Sequence, residues 1–280
     1  KADGSPGHEA WVVKGRRTAG TWSEVLGDTS TAHEVFMAWA YASYIEAVAS
    51  AGREQHNVPL YVNAWLDSEL DSELDADAAA ALTGPALAGG MQPGNYPSGG
   101  PVARVSAVWQ AAAPSIALLA PDIYFGDVDK ICSEFLGVSG YLFIPEMRRS
   151  TLGVAHMLHA IGQYRAIGIS PFGVDSVELG STEEAVLSDG LRLAHAAATL
   201  INNAPLCASR GFILDSKCNT WSETFGAYTV HAQLRQGSDL GYGIVVQERP
   251  GVFVVLGREF QTTFTGSGGM RTNILKAIEL

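Results

Sequence analysis

The chain has 280 residues, 47% of them hydrophobic and 17% charged, with a formal net charge of −11; this is ordinary globular composition, enough for one large domain or two small ones. No basic stripe exists, which argues against nucleic acid as a partner, whereas a neutral substrate such as a sugar is compatible with the charge. The apolar runs are far too short to span a bilayer, so no membrane segment is expected.

Residues 1–30 are polar and rich in Gly, Thr and Ser, and the opening Lys1 to Gly7 reads as loop. The chain opens on Lys1 without an initiator Met, so a processed N-terminus or a piece of a longer protein is expected. Thr31 and Glu34 have capping-box spacing and predict the first long helix. Its expected core face is Phe36, Trp39, Ala40, Tyr44, Ala47, Val48 and Ala51, and Gly52 is expected to stop it. The Trp39, Tyr41 and Tyr44 cluster thus reads as helix packing rather than a sugar platform.

Val58 to Leu66 is a short, almost wholly apolar run, as expected for a strand buried on both faces. A long loop follows, with Asp67-Ser68-Glu69-Leu70 repeated at Asp71-Ser72-Glu73-Leu74 and a Gly- and Pro-dense part over roughly 84–101. The acidic repeat lacks the Gly and ligand spacing of an EF-hand, so it reads as a solvated loop. A helix is predicted over 102–113, ended by Pro114, and a second buried strand over Leu118 to Tyr124. Asp127 can cap a short helix with Val128, Ile131, Cys132, Phe135 and Leu136 on one face, ended by Gly137. Tyr141 to Glu146 is the third strand, 151–164 a helix, and Ala166 to Phe172 the fourth strand. Ser181 and Glu184 form another capping box, opening a helix striped with Leu187, Leu191, Ala194, Ala198 and Ile201. Apolar strands alternating with amphipathic helices imply a parallel sheet. After about 205 the pattern turns to alternating antiparallel β, with Gln247 to Gly251 as a turn between two apolar runs.

In α/β barrels the chemistry sits at the C-terminal ends of the strands. Each strand here ends in a polar or aromatic residue: Asn63 and Trp65, Tyr124, Glu146, then Phe172 with Asp175. Glu146 is the most informative, because an ionised carboxylate closing an apolar strand is costly to bury and so would face a cavity, set against a Glu that simply begins a surface loop. Glycoside hydrolysis uses two carboxylates. Asp122 shares a strand face with Tyr124 and is a weaker second candidate, set against a structural Asp bonded to backbone donors. Tyr141 or Arg148 could tune Glu146.

Taken together, Phe36-Met37-Ala38-Trp39, Pro59 to Leu66, Ala120 to Tyr124, Phe143 to Glu146 and Ser170 to Gly173 resemble glycoside hydrolase family 35 proteins of the β-galactosidase type. The tail around Gly241 to Gln247 is similar to the DUF5597-type β-domain that follows the barrel in this subgroup. The resemblance runs from about Gly20 to about Thr265. It implies the C-terminal half of a (β/α)8 TIM barrel over 1–205, holding strands five to eight, and part of an antiparallel β-domain over 206–280. It also implies a retaining mechanism on a β-galactoside, with Glu146 as nucleophile, Asn63, Trp65, Tyr124 and Phe172 lining the sugar pocket, and neither metal nor organic cofactor. The acid/base Glu, expected in an Asn-Glu pair after the fourth strand, does not occur, so the chain reads as a fragment that is inactive alone. A second reading is a non-catalytic carbohydrate-binding or degenerate barrel protein.

Other signals are weaker. His156 and His159 share a helix face at a metal-capable spacing but lack further ligands, and read as surface histidines. Cys132 reads as a buried thiol, and Cys207 and Cys218 are near enough in sequence to pair. The compartment stays open, a secreted or periplasmic one included. The open edges of half a barrel would suit a homo-oligomer.

Overall fold

The computed structural model describes residues 6–66, 93–94, 98–205, 208–269 and 272. It is mixed α/β, with one four-stranded parallel sheet and two three-stranded antiparallel sheets. The chain forms two compact units, Lys1–Met147 with Gly168–Ser170, and Arg148–Ile167 with Pro171–Leu280. The acidic repeat, Cys207 and most of the Gly/Pro segment lie outside the described residues. Among the described residues no helix is long and apolar enough to cross a membrane.

The first unit opens with two short helices, α1 (Pro6–Val13) and α2 (Trp22–Leu26). Both lie ahead of the first helix predicted from the sequence. The signal was there for α2, since Thr21 and Glu24 form a reciprocal capping box. Helix α3 (Ser30–Gln55) is capped by Thr29, whose side chain accepts from the Ala32 amide, and it runs through Gly52 to a C-cap at His56. Glu34 is therefore not a capping residue. It is fully buried, and its two carboxylate oxygens take a bidentate hold from Arg104 at 2.8 and 2.9 Å.

The buried face of α3 also differs from the expected one. Ala32, Val35, Ala38, Ala42 and Ala49 are buried, while Phe36, Trp39, Tyr41, Tyr44 and Val48 are all at least 41% exposed. The helix carries apolar residues at three- and four-residue spacing on two faces, so periodicity could not choose between them. Packing takes the face of small residues, which lets α3 approach α1 and α4 (Ser106–Ala112) closely.

The parallel sheet has the order β1 (Leu60–Ala64), β2 (Ile116–Ile123), β3 (Phe143–Met147), β4 (Gly168–Pro171). Register sets Asn63 opposite Ala120 and Asp122 opposite Glu146. Helix α5 (Val128–Ser139) is capped by the Asp127 carboxylate and buries Val128, Ile131, Cys132 and Phe135, as its periodicity predicts. It continues past Gly137 and ends at Gly140, which adopts the left-handed conformation. Two side chains tie helices to β2: Glu46 on α3 accepts from Ser115 just before the strand, and Ser139 on α5 accepts from the Leu119 amide.

The second unit holds helices α6 (Thr151–Tyr164) and α7 (Thr182–Asn203) together with six strands. These are β5 (Ser209–Asp215), β6 (Thr220–Phe225), β7 (Tyr228–Leu234), β8 (Leu240–Arg249), β9 (Val252–Arg258) and β10 (Phe260–Gly266). They form sheets β10-β7-β6 and β5-β8-β9 around a core of Phe212, Leu214, Phe225, Val230, Ala232 and Val245. The antiparallel texture and the β8–β9 turn are those expected from the sequence. Helix α6 is nearly all core: Val154, Ala155, Met157, Leu158 and Ala160 are buried, and so is His159. His159 is thus not a surface histidine, because α6 packs against β5, β8 and α7 at once. Gly162 on α6 and Gly211 on β5 make that approach possible. A Cβ at Gly162 would lie 2.8 Å from the Gly211 nitrogen, and one at Gly211 2.5 Å from the His159 carbonyl oxygen.

Candidate active site

Three neighbouring strand ends of the first unit bring four side chains together. Asn63 comes from β1, Asp122 from near the end of β2, Tyr124 from just after β2, and Glu146 from β3. Opposed residues of neighbouring strands share a sheet face, and so do residues two apart along a strand. Asn63 lies opposite Ala120, two before Asp122, and Asp122 lies opposite Glu146. The register alone therefore places all three polar side chains on one face.

The contacts are specific. The Asn63 Nδ2 group donates to Asp122 Oδ1 at 2.9 Å and to Glu146 Oε1 at 3.1 Å. The Tyr124 hydroxyl donates to Glu146 Oε2 at 2.9 Å. Each oxygen of Glu146 thus holds one donor, and the two carboxylates are linked through a single nitrogen. Asp122 is 4% exposed, Glu146 and Tyr124 are half-buried, and Asn63 is exposed. Burial, and then the charge of Glu146, push the Asp122 carboxyl up to about 7, against the hydrogen bond from Asn63 that favours its ionised form. The Tyr124 phenol is raised well above its ordinary value, first by burial and then by its bond to Glu146 and the charges of both carboxylates.

Of the residues singled out in the sequence, Asn63, Tyr124 and Glu146 meet in this cluster, and the second candidate Asp122 joins them. Asp122 is bonded to a side-chain amide rather than to backbone donors alone. Trp65 follows β1 and is half-buried. Phe172 is 59% exposed, belongs to the second unit and is not one of the hydrogen-bonded four. The hydroxyl on Glu146 is that of Tyr124; Tyr141 stands 64% exposed before β3, at the end of the strand away from Glu146. The amide bridge was missed, although Asn63 and Asp122 were each visible at a strand end.

Among the described residues no group of three or more His, Cys, Asp or Glu side chains could hold a metal ion. Cys132 is buried, and burial pushes its thiol up to about 12, so it is an inert core group. A groove of about 500 Å³ in the second unit, lined by Val174, Val177, Leu187 and Leu191, contains none of the four clustered residues. The chain matches no model of a known protein family and no curated protein.

Proposed function

We propose that this protein is a glycoside hydrolase of the retaining, β-galactosidase-like kind, with Glu146 as nucleophile. The observation that carries the reading is the double hold on Glu146, Asn63 on one oxygen and Tyr124 on the other, at the end of a parallel strand. A carboxylate that must attack a carbon needs a fixed plane and a free lone pair, and the two neutral donors supply the first of these. The resemblance to family 35 enzymes supports the same assignment, and with it the reading of the parallel sheet as half of a (β/α)8 barrel. Asn63, Trp65 and Tyr124 then belong to the sugar pocket.

In this mechanism a Glu146 oxygen bonds to the anomeric carbon as the bond to the leaving oxygen breaks. A carboxylic acid protonates that oxygen, and water later displaces the glycosyl group from Glu146. Asp122 does not suit the acid's part: at 4% exposure it lies beneath the amide of Asn63 rather than in reach of a glycosidic oxygen. The resemblance assigns that part to a Glu ahead of this sheet.

The test uses a donor whose leaving group needs no proton. The chain is incubated with 2-deoxy-2-fluoro-β-galactosyl fluoride, and the adduct is mapped by mass spectrometry. The expected result is one glycosyl group on the Glu146 peptide and none in Glu146→Gln. Absence of an adduct, or an adduct indifferent to the substitution, overturns the assignment. A β-galactoside that binds without labelling would favour the carbohydrate-binding alternative.

A further inference from the structure

We infer that Asp122 is a positioning residue for Glu146, acting through the side-chain amide of Asn63. This rests on the reading of Glu146 as the nucleophile. Glu146, an anion that only accepts, already selects the nitrogen end of the Asn63 amide. One hydrogen bond alone leaves the amide plane free to turn about that contact. The second bond, to Asp122 at 2.9 Å, fixes the plane, with the nitrogen held between the two carboxylates and the Asn63 oxygen facing away. A flip of the amide would set its carbonyl oxygen against two anionic groups at once. The second N–H is thereby delivered to Glu146 Oε1 at 3.1 Å.

The placement fits support rather than contact with a ligand. Asp122 is the buried member of the cluster, while Asn63, through which it acts, is exposed. The cross-strand register sets Asp122 beside Glu146 itself, so two like charges are held on adjacent strands. That proximity is unfavourable, and a buried Asn or Thr could accept from Asn63 without it. What a carboxylate adds is a charged acceptor, which holds the Asn63 N–H more firmly than a neutral one would. The titratable groups that face Asp122 are Glu146 on β3 and the Tyr124 phenol after β2.

Two measurements test this. In the first, the Asn63 side-chain NH2 signals of 15N-labelled protein are followed from pH 5 to 9. They are expected to titrate with a midpoint near 7 in the wild type, and to lose that step in Asp122→Asn. Signals that do not move, or that move alike in both proteins, overturn the coupling whether or not Glu146 reacts with sugars. In the second, the rate of Glu146 labelling by the fluorosugar is compared across variants. Asp122→Leu is expected to slow it about 10- to 100-fold, Asp122→Asn less, because its amide oxygen can still accept from Asn63. In an Asn63→Ala background the effect of either Asp122 substitution is expected to vanish, since the relay is gone. Equal losses with and without Asn63 would overturn the proposal. A wild type that takes no label removes the nucleophile reading, and the NMR titration alone then decides whether Asp122 orients the amide.

Discussion

Replacing Asp122 with Asn is expected to remove a pH dependence of stability that the wild type carries. In the unfolded chain this carboxyl ionises near its ordinary 3.8, and in the folded protein near about 7. Between those values the folded state binds a proton that the unfolded state has released, so stability falls as pH rises through the window and is flat above it. Each pH unit is worth about 1.4 kcal/mol, so the two units between pH 5 and 7 amount to about 3 kcal/mol as an upper figure. Solvent around the exposed Asn63 reduces this, and about 1–3 kcal/mol is the expected span. The substituted amide would keep the bond, its oxygen accepting from Asn63 Nδ2, and would not ionise. Urea unfolding of both proteins at half-unit steps from pH 5 to 8 reads the effect directly. The variant should gain on the wild type by that amount as pH rises and hold the gain above pH 7.5. A difference that stays constant across the range would refute both the raised carboxyl and its attribution to burial beside Glu146.

Two further expectations follow from packing. Arg104→Met leaves the fully buried Glu34 without its bidentate partner, and should cost about 3–5 kcal/mol in chemical denaturation, most of it restored when Glu34 is also made Leu. Gly257→Ala adds a Cβ 2.1 Å from the Tyr242 carbonyl oxygen at a φ of 148°, and should lower stability by about 3 kcal/mol or more. A thermal unfolding midpoint within a degree or two of the wild type would show that β8 and β9 can part there without penalty.

The parts of the structure that were legible in the sequence are those where one physical cause dominates. The four parallel strands were found within about two residues, because short apolar runs between turn signals mark them. Burial on both faces was expected but is not general: in β1 Tyr61 is 47% exposed and Asn63 is exposed, and no residue of β4 is fully buried. Asp127 and Ser181 capped helices as their side chains dictate. The strand-end rule drew attention to Asn63, Tyr124 and Glu146, which meet. What failed involved choices made across the chain. Helix α3 offered two apolar faces, and only its neighbours could select the one of small residues. Glu34 sat at capping distance from Thr31, yet Arg104, 70 residues away, claimed it. Strands β5 and β6 were absorbed into a general change of texture, because Gly211 and the polar positions of Thr220–Phe225 blur the alternation. The bridge from Asn63 to two carboxylates depends on strand register, which single-strand patterns do not encode.

The glycine contact between α6 and β5 bears on how this protein can be dissected. A cut at residue 205, where helical pattern gives way to β pattern, would sever the strands from α6 and strip the cover from β5 and β8. Such a C-terminal piece would present a bare, glycine-notched sheet surface to solvent and should precipitate. A piece beginning ahead of Thr151 would take its own lid with it and should stay in solution.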